Sequence, residues 1–181
     1  MDANRYRLHE VATSLMLALA LFSGVAALTA VLVDPSTLSG VDPGAQARSP
    51  GFLEILGRNL SAALLLYSGV VTVGLTAILG LIGVGAFVGG TLDVAVHNAG
   101  WSGVLGSTWP YILLEFGGMV LAAAAGLHPL VSTLLTARDG ARTRTVNRYL
   151  AALTPSLKLL TVAAAMILSG AAVESLVISR R

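Results

Sequence analysis

Apolar residues run along this chain in stretches too long and too even for soluble helices with one wet face, and polar residues gather between the stretches. The first, 11–33, holds 23 residues, and about 20 suffice to carry a helix across bilayer hydrocarbon. Arg5 and Arg7 precede it as in a secretory leader, but the run exceeds the roughly 7–15 apolar residues of a leader and reads as a first transmembrane helix. Segment 34–50, rich in Pro, Gly, Ser and Asp, reads as a water-exposed loop. Next, Ser49 and Pro50 suit a helix start, and Phe52, Leu53, Ile55 and Leu56 face away from Glu54 and Arg58. This predicts a short interfacial helix over 50–58, or else a plain lead-in turn. Residues 60–99 are mostly apolar and would reach about 60 Å as one straight helix, twice the hydrocarbon thickness. A break is expected in the glycine cluster Gly80–Gly90, giving helices 60–79 and 82–99, the latter interrupted by Asp93, His97 and Asn98. Segment 100–110, with Trp101 and Trp109, reads as a loop at a membrane surface. Helices over 111–135 and 155–179 follow, separated by an Arg-rich loop, with 146–153 along the interface. The expected fold is all-α: one polytopic membrane helix bundle over 1–181, with about five transmembrane helices and a short interfacial one.

Composition agrees. The chain has 181 residues, of which 55% are hydrophobic and 11% charged, with mean hydropathy +0.82, whereas soluble domains carry about 25% charged residues. It has no cysteine, which excludes disulfides and thiolate chemistry. A formal charge of +2 is too small and scattered for a nucleic-acid footprint. No phosphate loop, nucleophile elbow or metalloprotease motif is present, so neither enzymatic activity nor a cofactor or metal is expected. Charge also suggests orientation. Arg5 and Arg7 flank the first helix, and four Arg lie between positions 138 and 148. Five helices place both basic segments in the cytoplasm and the C-terminus outside; Arg180 and Arg181 weigh against this.

Against this apolar background Glu115 stands out, inside WPYILLEFGGMVLAAAAGL. It lies five residues, about 7.5 Å, into its helix from Pro110. Glu174 lies five residues before Ser179 in the next, antiparallel helix, which brings both carboxyls to the same leaflet at similar depth. The five-helix topology brings His97 and Asp93 to that face as well. A carboxylate at a helix centre costs about 2.5–3.5 kcal/mol on insertion scales, so such residues face a bundle interior. An intramembrane polar cluster of Glu115, Glu174, His97 and Asp93 would serve as a proton or cation site or as a latch for a partner. In the plainer reading each Glu accepts hydrogen bonds that tie loops to the bundle, and His97 is structural. Small residues mark helix-packing faces: Gly118, Ala122 and Gly126 at intervals of four, and Gly85 with Gly89. These suit internal packing or dimerisation. Lys158, one turn inside the last helix, can snorkel.

The residues resemble a known family. Pro110 followed at the right spacing by Glu115 and small residues resembles the PHGxxE signature of the stage II sporulation protein M family. FLEILGRNL resembles its lead-in, with Asn59 at the Asn position; VGAFVG resembles its NGxxxG; AAVESLVIS resembles its closing stretch and places Glu174 on the family's second Glu. Tyr111 and Ile112 stand where the family has His and Gly, and Val84 where it has Asn. The likeness covers about residues 50–179. It implies a multi-pass plasma-membrane protein without known catalytic activity, acting as scaffold or subunit of a membrane complex. Its partners would be the lipid bilayer and other membrane proteins or copies of itself, and not nucleic acid. The alternative is a small transporter or channel subunit working through Glu115 and Glu174.

Overall fold

A computed structural model describes residues 3–32, 50–138 and 144–179. Ser49 and most of the loop expected at 34–50 lie outside the described residues, as do 139–143 of the Arg-rich loop and the Arg180–Arg181 pair. Among the described residues every long element is a helix, and the fold is an all-α membrane helix bundle. Helix α1 spans Ala3–Leu32, and α2 spans Phe52–Tyr67. One 3-10 turn follows at Ser68–Val70. The helical stretch Leu75–Arg138 is broken at Gly100, whose φ of 69° and ψ of 165° lie in a region open essentially to glycine alone. We call its two parts α3 (75–99) and α4 (101–138). Helix α5 is Thr145–Ala151, and α6 is Leu153–Ser179.

Four stretches are long and apolar enough to cross a membrane: Leu8–Leu32, Leu75–Gly106, Tyr111–Ala137 and Thr145–Ser179. Helix α4 is mostly buried, whereas almost none of α1 is, so α4 is the central helix. Its run Ala122 to Ala125 is fully buried, together with Ala63, Leu66, Ala77, Leu81, Ala163 and Ile167. Small side chains bring helix backbones close, and in lipid that van der Waals contact replaces the hydrophobic drive available in water. Helix α4 runs antiparallel to α3: a Cβ on Gly126 would lie 3.3 Å from the Ala77 Cβ, and Leu127 and Leu130 border Gly74. It runs antiparallel to α6 too, since the Ser156 hydroxyl donates to the Ala125 carbonyl at 2.7 Å while Gly118 borders Ala163 and Ile167.

Three placements differ from the sequence expectation. The chain turns at 68–74, not in the glycine cluster, and 50–58 is the continuous start of α2 rather than a separate interfacial helix. The glycines of α3 give close approach instead of a turn: Gly80 borders Leu66, Gly85 borders the Phe22 carbonyl, and Gly89 packs on the backbone of Ala26. At 68–74 hydroxyls hold the reversal. Ser68 Oγ and Thr72 Oγ1 lie 2.8 and 2.9 Å from Thr76 Oγ1, and the Gly74 N–H donates to the Gly69 carbonyl at 2.6 Å. Val73 takes φ 54° there and Gly74 φ 91°. The segment expected as the loop 100–110 is helical from 101 onward, so that the reversal between α3 and α4 is concentrated at Gly100. Trp101 and Trp109 are exposed on that hairpin.

Hydrogen bonds define the two ends of the bundle. Ser132 and Thr136 reach Glu10 at 3.0 and 3.4 Å, joining the end of α4 to the start of α1. The Tyr149 hydroxyl donates to the Val70 carbonyl at 2.6 Å and ties α5 to the α2–α3 turn at that same end. The α3–α4 hairpin tip lies at the opposite end.

Candidate functional site

Near that opposite end, α2, α4 and α6 bring three polar side chains together. Glu115 comes from α4, Glu174 from α6 and Asn59 from α2; the Glu174 carboxyl and the Asn59 amide both interact with the Glu115 carboxyl. Glu115 is 7% exposed, and its Oε1 has no hydrogen-bond partner. Gly170 makes the arrangement fit: a Cβ there would lie 2.6 Å from the Glu115 Cγ, so α6 can pass over the carboxyl stem only without a side chain. These groups border a cavity of about 440 Å³, whose wall also carries Arg58 and Tyr111. Arg58 pairs with Glu54 one turn back on α2. Side by side, two carboxyls repel while both are charged, and a proton or cation between them removes that repulsion.

A second cavity, of about 660 Å³, meets the first at Tyr111, Glu115 and Phe116. It runs along α4 between α1 and α3 and is mainly aliphatic, with Leu15, Leu19, Phe22, Leu92, Leu113 and Val120 in its wall. The rings of Phe22 and Phe116, with centroids 6.1 Å apart, stand at the junction.

The structure brings Glu115, Glu174 and Asn59 together but leaves Asp93 and His97 out. Asp93 is half-buried and His97 exposed, and neither lines the carboxyl cavity. The reason lies in the chain path: α3 continues unbroken through the glycine cluster and carries both residues on toward the hairpin tip. No group of three metal-ligating side chains occurs among the described residues. Gly85 and Gly89 face α1, whereas Gly118 faces α6 and Gly126 faces α2 and α3, so the α4 small-residue face serves different neighbours along its length; Ala122 is fully buried between them. Pro110 falls within α4, one turn before Glu115. Lys158 is exposed on α6.

Sequence reasoning passed over a second polar group, at the basic end. His128 is 1% exposed, its Nδ1 lies 3.3 Å from the Ser14 hydroxyl, and its Nε2 has no partner. Ser14 is buried one turn along α1 from Glu10, which accepts from Ser132 and Thr136. The signal was present: Glu10 and Ser14, like His128, Ser132 and Thr136, recur every four residues and form one polar stripe on each of two apolar helices.

A bundle of apolar helices long enough to span a membrane, packed around the buried Glu115 and its half-buried partner Glu174, marks an integral membrane protein. The family model of stage II sporulation protein M matches residues 12–178, nearly the whole chain, and the chain belongs to that family. No curated protein and no solved structure matches it.

Proposed function

We infer that this protein is a non-enzymatic scaffold or subunit of a plasma-membrane complex, which meets its partners inside the bilayer. The supporting observation is the state of α1: its apolar length is almost entirely unburied, and Met16, Leu17, Leu28 and Leu32 are exposed along it. Among the described residues the chain is almost wholly helix, so it offers partners mainly helix faces. Photo-crosslinking from Leu17 and Leu28 in native membranes tests this. A partner protein or second copy should be captured there, and capture of lipid alone at both sites overturns the reading. In the orientation we propose, the short α2 crosses as a fifth helix beside the four long stretches, the N-terminus and the Arg-rich segment are cytoplasmic and the C-terminus is external. The hydrogen-bonded grouping of the α1 start, the α4 end and α5 at one end supports it, because it gathers the basic residues on one side.

The Glu115–Glu174 site supports a second reading, a proton or cation site serving transport. The observation that favours it is a buried carboxyl whose Oε1 has no partner, set beside a second carboxyl at the wall of a cavity. Reconstituted vesicles with a pH dye or a sodium tracer test it. A flux that Glu115→Gln abolishes sustains the reading, and no flux above empty vesicles removes it.

A further inference from the structure

The carboxyl cavity and the aliphatic cavity share Tyr111, Glu115 and Phe116 in their walls, so polar and apolar binding surfaces adjoin. We propose that together they form a binding site for one membrane lipid with a primary-amine headgroup, an aminophospholipid. The proposal rests on the reading of Glu115–Glu174 as a cation site and names its ligand.

The donor and acceptor chemistry selects the headgroup. A primary ammonium has three N–H donors and no acceptor. Around the cavity stand the Glu115 and Glu174 carboxyls and the side-chain amide of Asn59, whose oxygen can accept when the amide turns. Three acceptors on three helices match three donors. A hard metal ion is served worse, since it calls for about six oxygen ligands and no three-residue metal group occurs among the described residues. Arg58 lines the same cavity, and its fork has N–H donors beyond the one given to Glu54, which suits the phosphodiester next to the amine. The aliphatic cavity continues from Phe116 along α4, between α1 and α3, and takes the acyl chain. Leu113, on its wall, is exposed at the outer surface of the bundle. Sites of this kind, mostly apolar with a few convergent polar groups, are the usual form for small-molecule binding.

The test uses the full chain, purified in mild detergent and stripped of lipid. Dioleoyl phosphatidylethanolamine, phosphatidylcholine or phosphatidylglycerol is added back, and bound lipid is counted by native mass spectrometry alongside the melting temperature. Phosphatidylcholine is the sharp control, because its quaternary ammonium carries charge but no N–H. Phosphatidylethanolamine should be retained about tenfold better than either, the factor given by about 1.4 kcal/mol of differential binding. Glu115→Gln and Glu174→Gln should each erase that preference with helicity by circular dichroism unchanged. Leu113→Trp, which narrows the aliphatic cavity, should lower retention of all three lipids. Where a Gln variant fails to fold, the headgroup series on the unaltered chain decides. Equal retention of all headgroups overturns the proposal. Ethylammonium alone reproducing the full stabilisation also overturns it, while leaving the cation site standing. No response to any lipid or to ethylammonium, together with no proton or sodium flux, removes both.

Discussion

Glu115 keeps its place because Gly170 opposite has no side chain and because Asn59 and Glu174 share its polar end. This makes its replacements unequal. Glu115→Ala strands two polar partners inside the bundle and should destabilise the protein by about 1–3 kcal/mol. Glu115→Gln keeps shape and hydrogen bonding and should cost clearly less, which thermal unfolding in detergent will rank. In a double-mutant cycle the Gln changes at 115 and 174 should couple rather than add, as expected for side chains in contact. Gly170→Leu should cost more than either Gln change, through overpacking against the Glu115 stem. The two carboxyls were legible in the sequence, because a charged residue in an apolar helix must face something polar and antiparallel neighbours match depths. Gly170 was not legible: one more glycine in a chain with 20 says nothing until the residue across the interface is known. His128 was lost for a related reason, since a lone histidine gains meaning only once Ser14, 114 positions away, lies beside it.

At the scale of elements, hydropathy located the apolar helices near 11–33, 111–135 and 155–179, but it drew one helix over 60–79, where the chain in fact reverses. Lipid-facing apolar helices and apolar turns look alike to a hydropathy window, and SGVVTVG is nearly as apolar as its flanks. What makes it a turn is the hydroxyl set of Ser68, Thr72 and Thr76, with two successive positive φ angles. A β-branched residue in that backbone region is strained, and Val73 is exposed, so its side chain contributes little packing. Val73→Asn should therefore stabilise the protein by about 1 kcal/mol, seen as a raised melting temperature. The opposite holds at Gly100. Nothing lies within 4 Å of a Cβ built there, so any cost of Gly100→Ala comes from backbone alone. About 1–3 kcal/mol of destabilisation is expected, and an unchanged melting temperature would mean that the hairpin reverses elsewhere. The glycines at 80–90 misled for the converse reason: glycine serves close packing as readily as turning, and only the neighbouring helix decides which.

At the scale of the whole molecule, the grouping of the basic segments at one end makes orientation testable in a chain that has no cysteine of its own. Single cysteines at Ser39 and Ala141 should be labelled from outside intact cells at the first site only; labelling at Ala141 reverses the proposed orientation. Helix lengths carry a further consequence. The 16 residues of α2 rise about 24 Å, whereas bilayer hydrocarbon is about 30 Å thick. On this flank the helix is shorter than the hydrocarbon is thick, with Leu64 and Leu65 exposed along it. Hydrophobic mismatch of this kind costs fractions of a kcal/mol per Å, and the bilayer relieves it by thinning locally. The protein should then be most heat-stable in short-chain bilayers and lose stability as acyl length grows. In a membrane of uneven thickness it should collect in the thin regions, so that α2 acts as a gauge of where in the membrane the protein resides.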